Sequence, residues 1–392
     1  MKIPLVLVLV CINFSPTHAG PAGEKETPFS NLTIPIVDLD GHKYRQVVVD
    51  REKGQYLGHP TTCLLEDGKT MLCVYPKGHG GGAIIYKKST DGGRTWSDRL
   101  PTPNSWATSR EVPTLHRVIA PDGTRRIILW SGLYPARLAI TENNGKTWSE
   151  LMPVGDWGGI CVMGAVVPLK TLGHYIAMFH DDGRFFTKGI KQKKPIVFTL
   201  YKTFSRDGGL TWSFPEAILA RSDVHLCEPG VVRSPDGNQL ACLLRENSRR
   251  KNSHIIFSDD EGNTWSPPRE VPLSLTGDRH TGKYGPDGRL FISFRSRLPA
   301  HLDTPVEGDW VGWVGRYQDL VDKSEGQFHV RLKDNKKGSD CAYPPVEVLP
   351  DGTFVTTTYG HWEQGSLPYI LSVRFQLSEL DRIAQRSLSI RK

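Results

Sequence analysis

Glu228 and Arg245 stand seventeen residues apart at the two ends of one apolar hairpin pattern, Glu228–Arg233 and Gln239–Leu244 around Pro235-Asp236-Gly237. A carboxylate and a guanidinium in that position either pair across the hairpin mouth or face a ligand, since arginine grips anions through paired hydrogen bonds. Tyr343 opens a similar hairpin, and Arg295 ends another, with Arg297 two residues on. Each could equally be an ordinary strand end with its polar tip capped or solvated. His79 sits in the glycine loop Pro76–Gly82, and Asp181 and Arg184 lie in the run His180-Asp181-Asp182-Gly183-Arg184. A histidine titrating near neutrality can do general acid–base work, although a plain loop histidine fits the same pattern. Glu111, His59 and His280 begin further strands. The available chemistry is therefore acid–base catalysis beside anion binding. Cysteines without C-x-x-C spacing speak against a zinc site, and the reading needs neither metal nor organic cofactor.

These residues need a scaffold that brings distant hairpin mouths together. The octet Ser205–Trp212 has the frame Ser/Thr-x-Asp/Asn-x-Gly-x-Thr-Trp, which recurs at Ser89–Trp96, Thr141–Trp148 and Ser258–Trp265. The acidic or amide position recurs after 52, 64 and 53 residues. A period near 50 indicates a solenoid or propeller. In each frame the Asp can accept backbone hydrogen bonds within a tight turn, Gly permits positive φ, and Trp packs between sheets. Six strand–turn–strand patterns run through the chain, beginning at His59, Glu111, Ile160, Glu228, His280 and Tyr343. Four are followed by the octet. The fold expected is all-β, a six-bladed β-propeller, with Trp310–Tyr317 and Tyr369–Leu377 as outer strands of the last two blades. Tyr44–Val49 is the strand expected to close the ring. In a four-stranded blade the turns between strands 1–2 and 3–4 share one face, so strand-1 starts and strand-2 ends line the opposite mouth.

The octet resembles the Asp box of the sialidase-type (BNR repeat) superfamily, where it is a structural turn. Three further elements are similar to that family's machinery: Asp340-Cys341-Ala342-Tyr343 ahead of Pro350-Asp351-Gly352, Glu228-Pro229 with Arg245, and Arg295 in the next blade. The resemblance implies an exo-α-sialidase-like glycoside hydrolase that removes a terminal acidic sugar with retention. Tyr343 is then the nucleophile, Glu228 its base, and Arg245 with Arg295 a carboxylate clamp; a tyrosine replaces the usual carboxylate nucleophile. Two family features differ here. Gly58-His59-Pro60 stands where the family has an Arg-Ile-Pro motif, and the loop Pro76–Gly82 lacks the acid/base Asp. His79, Asp181 or Asp182 is the substitute proton donor, and Arg184 or Arg110 a substitute cation; Glu111, His59 and His280 complete the rim. Two alternatives stay open: a glycosidase or lyase for another acidic glycan, and a non-catalytic glycan-binding propeller.

The net charge of +7 suits an anionic ligand, while the basic runs Lys191–Lys194 and Arg249–Lys251 read as solvated loops rather than a nucleic-acid surface. Met1-Lys2 followed by the apolar run Ile3–Ile12 resembles a secretory signal through residue 22, and no stretch is long enough for a membrane span. The expected organisation is a signal peptide at 1–22, a leader at 23–43, the propeller at 44–380 and a tail at 381–392. The protein is expected to be secreted or periplasmic, with an acidic glycan or glycoconjugate as partner. Cys63 and Cys73 flank one turn and are either a disulfide or buried thiols.

Overall fold

The computed structural model describes residues 33–189, 194–298, 304 and 306–390. The signal-peptide region and Lys191–Lys193 lie outside them. The described residues form six sheets, each with a core of consecutive antiparallel strands. The first blade comprises Thr61–Leu64, Met71–Pro76 and Ile84–Ser89, and the second Thr114–Ile119, Arg125–Ser131, Arg137–Thr141 and Met152–Pro153. The third comprises Ile160–Pro168, Tyr175–Asp181, Phe198–Ser205 and Glu216–Arg221. The fourth runs Leu226–Arg233, Leu240–Glu246, His254–Ser258 and Arg269–Glu270. The fifth has Gly277–Tyr284, Leu290–Ser296, Trp310–Gly315 and Phe328–Lys333, and the sixth Val346–Val348, Phe354–Gly360 and Tyr369–Phe375. The first strand of each blade packs against the first strands of its neighbours, and that of the sixth meets that of the first. This is a six-bladed β-propeller.

Gln46–Asp50 pairs antiparallel with Tyr369–Phe375, so the beginning and end of the ring share the sixth blade as the hairpin count requires. Residues 36–38, within the expected leader, add a parallel fifth strand beside Phe328–Lys333. The helix Leu377–Ile390 crosses the expected boundary at 380 and packs Leu377, Leu380 and Ala384 into the core between the last two blades.

Each Asp box closes on itself. Ser205 Oγ donates to Asp207 at 2.8 Å and accepts the Gly209 amide, while Asp207 accepts the Thr211 amide at 3.0 Å and its hydroxyl at 2.5 Å. The octet's tryptophan then reaches back to the preceding blade. Trp212 meets Trp130 edge-on at 5.2 Å, and Trp148 meets Trp106 at 5.3 Å. Buried aromatic surface of this kind, with the local turn, holds neighbouring blades at a fixed angle. Cys63, Cys73, Cys227, Cys242 and Cys341 are buried free thiols, so Cys63 and Cys73 do not form a disulfide.

The mouth is less regular. In the fourth blade Cys227 pairs with Arg245 and Gly230 with Leu243, so the inner strand carries one residue more than its partner between these pairs. The fifth blade repeats this between the pairs Asp278–Arg295 and Thr281–Ser293. Such a bulge re-aims a side chain out of the sheet. The bulge residues Glu228 and Arg279 have φ of 51° and 58°, and His59 and Ala342, at the mouths of the first and sixth blades, have φ of 48° and 56°. Left-handed backbone at non-glycine residues costs on the order of 1–3 kcal/mol each and concentrates at functional sites.

Candidate active site

The bulge in the fourth blade turns Glu228 toward the sixth blade, where Tyr343 follows the left-handed Ala342. The Tyr343 hydroxyl donates a short hydrogen bond to Glu228 Oε1. Arg245 Nη1 donates to the same oxygen at 2.7 Å and lies 3.3 Å from the Tyr343 hydroxyl. Burial pushes the Glu228 carboxyl up, but the adjacent Arg245 and the Tyr343 hydrogen bond outweigh it and hold the group below its usual range. An ionised carboxylate thus faces a phenol across a guanidinium, an arrangement that can take up the phenol proton and stabilise a phenolate. Glu228 Oε2 is buried without a hydrogen-bond partner.

Behind this group stands Asp278, whose side chain is 0 % exposed. Its Oδ1 lies 3.2 Å from Arg245 Nε and 2.5 Å from Arg249 Nη1. Its Oδ2 accepts Arg249 Nη2 at 2.9 Å and Arg295 Nη2 at 2.6 Å. Burial raises this carboxyl, yet Arg295, Arg245 and Arg249 together pull it far below its usual value. Arg295 Nη1 also donates to the carbonyls of Ser339 and Cys341. One expectation changes here. Arg249, expected in a solvated loop, is drawn onto Asp278. Arg245 and Arg295, expected to clamp a ligand carboxylate, already share a carboxylate of the protein. Arg297 pairs with Glu307 at 3.5 Å.

The first blade contributes two histidines. His59, in place of the family's arginine, is 3 % exposed and packs edge-on to Tyr343 at 4.3 Å and to His79 at 4.9 Å. Its Nδ1 accepts the Gly80 amide at 3.1 Å and its Nε2 meets the Tyr359 hydroxyl at 3.2 Å. Burial drives its pKa well below the usual value, so it is neutral. His79 is more open, and its Nε2 lies 3.5 Å from Asp340 Oδ1. That interaction, opposed by partial burial, raises the His79 pKa. Asp340 also accepts the Tyr56 hydroxyl at 2.8 Å and faces His361 Nε2 at 3.2 Å. A carboxylate from the sixth blade therefore stands beside the loop that lacks one of its own.

The remaining expected residues are placed elsewhere. Asp181 accepts the amides of Gly183 at 2.6 Å and Phe185 at 3.1 Å and so caps its own loop; burial nevertheless pushes it up to about 6. Arg184 pairs with Asp182 at 2.8 Å. Glu111 Oε1 accepts the Val112 amide at 3.0 Å. His280 Nε2 meets the Leu275 carbonyl at 2.8 Å and its ring stacks on Phe294, which fixes it inside the fifth blade. Its neighbour Arg279 occupies the register position of Glu228 instead. Sequence reading missed Arg279, Asp278 and Asp340; the first two are found only once the bulge is seen in the strand register. The described residues contain no group of three or more His, Cys, Asp or Glu side chains arranged to hold a metal ion. None of their helices is long and apolar enough to cross a membrane.

Residues 123–355, more than half of the chain, match the BNR repeat-like domain family. No curated protein matches the sequence. Among solved structures, a protein of unknown function from Dyadobacter fermentans superposes with a TM-score of 0.66 at 16 % identity, over 84 % of this chain and 97 % of that one. The α-L-arabinofuranosidase of Fusarium graminearum, solved with an iminosugar inhibitor, gives 0.60 at 14 % identity, over 86 % and 98 %. The intramolecular trans-sialidase of Ruminococcus gnavus, solved with oseltamivir carboxylate, gives 0.55 at 14 % identity, over 83 % and 95 %.

Proposed function

Since the chain belongs to the BNR repeat-like domain family, we propose that its mouth is the active site of a retaining glycoside hydrolase acting on a terminal acidic sugar, sialic acid or a relative. One observation carries the reading: Tyr343, Glu228 and Arg245 meet in one hydrogen-bonded group although Tyr343 and Glu228 are 115 residues apart. A structural tyrosine needs only one partner. An ionised base and a cation both on its hydroxyl are what a nucleophile needs.

In the first step the Tyr343 oxygen attacks the anomeric carbon and Glu228 takes the phenol proton. The bond from that carbon to the leaving oxygen breaks, and protonated His79 gives that oxygen its proton. In the second step water attacks the same carbon and yields a proton to His79. The Tyr343–carbon bond breaks and Glu228 returns the phenol proton. Asp340 keeps His79 protonated and oriented, the role a carboxylate plays toward a catalytic imidazole. The structural relatives named as a trans-sialidase and an arabinofuranosidase support carbohydrate chemistry in this fold. Secretion or periplasmic export goes with this reading, since such glycans are largely outside the cell.

Asp278 favours a second reading, a glycosidase for another sugar, because it occupies the guanidinium groups that the first reading assigns to a sugar carboxylate. A panel of fluorogenic sialosides, uronides and arabinofuranosides separates the two. Tyr343→Phe should lower kcat by at least ~10³-fold on whichever substrate is cleaved, the size expected when a nucleophile is lost. Turnover that survives Tyr343→Phe removes the mechanism, and a parent protein that cleaves none of the panel removes the hydrolase.

A further inference from the structure

Arg279 differs from the other guanidinium groups at the mouth. Arg245, Arg249 and Arg295 all close on Asp278. Among the described residues no carboxylate pairs with Arg279, and its Nη1 is buried without a hydrogen-bond partner. The residue is only 8 % exposed. Its left-handed backbone, φ 58°, sits at the bulge position that in the preceding blade presents Glu228. Its guanidinium carbon lies 5.9 Å from the centre of the Tyr343 ring. Its guanidinium packs closely on Gly164, where a Cβ would stand 2.5 Å from Arg279 Nη1, so only glycine admits it there. Burying a cation without a partner is costly, and so is a strained backbone that puts it there. Both costs are removed when an anionic ligand completes the pair.

We propose that Arg279 is the receptor for an anionic substituent, a carboxylate or sulfate, on the sugar held in the mouth, and that Arg245 and Arg295, tied to Asp278, position Glu228 and Tyr343 rather than grip the substrate. This rests on reading the mouth as a sugar-acid site, but its test does not depend on hydrolysis. The anion enters as the ion-pair partner that Arg279 lacks among the described residues, while Glu228 and Asp278 already hold Arg245, Arg249 and Arg295.

The test is calorimetric titration of the full-length protein with N-acetylneuraminic acid, D-galacturonic acid, D-galactose 6-sulfate, galacturonic acid methyl ester and D-galactose. The parent should bind at least one of the three anions and prefer it over its uncharged counterpart. Arg279→Gln should weaken that anion by about 30-fold or more, the loss typical of removing one partner of a buried charge pair, and leave the uncharged sugars unchanged. Arg279→Lys, which keeps the charge without the planar fork, should fall between. Ligand-free Arg279→Gln should melt no lower than the parent, because it removes an unpaired buried charge.

Equal anion affinity in parent and Arg279→Gln overturns the proposal. So does a parent that binds no anion or binds the uncharged sugars as well, and so does a lower melting temperature for ligand-free Arg279→Gln. A parent that binds the anion through Arg279 yet cleaves nothing overturns the hydrolase reading and leaves this one standing. A parent that cleaves a sialoside while Arg279→Gln binds normally does the reverse.

Discussion

The turn face and the mouth of the same propeller are built on opposite terms. On the turn face, Asp207 and Ser205 satisfy one another and the residues up to Thr211, all within a single octet. At the mouth, Tyr343 reaches Glu228, Tyr56 reaches Asp340 across 284 residues, and Tyr359 reaches His59 across 300. Left-handed backbone at non-glycine residues occurs on both faces, at Asn144 and Glu261 within two of the octets and at His59, Glu228, Arg279 and Ala342 at the mouth. Unpaired buried groups also lie at the mouth, at Glu228 Oε2 and Arg279 Nη1. The contrast is one of range: the turn face closes within single octets, and the mouth closes across the ring.

Four substitutions sharpen or break that contrast. Asp278→Asn removes the shared anion from three guanidinium groups and should cost about 3–5 kcal/mol in chemical denaturation, the penalty for uncompensated buried charge. A loss below ~1 kcal/mol would mean that water already screens those arginines and that the mouth is not a strained, dry site.

His180 supplies the next effect. Its Nδ1 accepts the Glu228 amide at 3.4 Å, and burial depresses its pKa to about 4. Between pH 6.5 and 4 the unfolded chain holds a proton there that the folded chain lacks. Stability therefore falls as pH falls through that window and is level above it. His180→Gln should remove about 3 kcal/mol of this acid-dependent loss, measured as the difference in unfolding free energy at pH 7 and pH 4. Parallel pH curves for parent and variant would place the acid sensitivity elsewhere.

Asp340→Asn tests the proton donor. Asp340 raises the His79 pKa, and the donor must be protonated, so removing the carboxylate should move the high-pH limb of kcat/KM to lower pH. An unmoved limb would exclude His79 as the acid. The smallest effect belongs to the turn face: Asp207→Ala should cost about 1 kcal/mol through lost turn hydrogen bonds and leave turnover untouched. Any change in KM there would mean that the two faces are coupled.

Much of this was legible in the chain. The Asp boxes were, because each one's hydrogen bonds fall within its own eight residues. The hairpins were too, and from their count followed the strand Gln46–Asp50 that closes the ring. Glu228, Arg245 and Tyr343 were found as a set through the resemblance and their places at hairpin mouths. The bulge that sets Arg279 rather than His280 at the register position of Glu228 was not legible, because alternation along a strand does not reveal one inserted residue. Arg249 was read as solvated because nothing nearby in sequence suggested the buried carboxylate that draws it in.

The sequence alone determined what is periodic and local: six sheets, their turns, and the tryptophans between blades, since turn propensity and strand alternation act over a few residues. The tertiary structure decided which charges meet. Pairing across the axis depends on the closure of the whole ring and on single-residue bulges, and only there did Asp278 take three arginines and leave Arg279 without a carboxylate among the described residues.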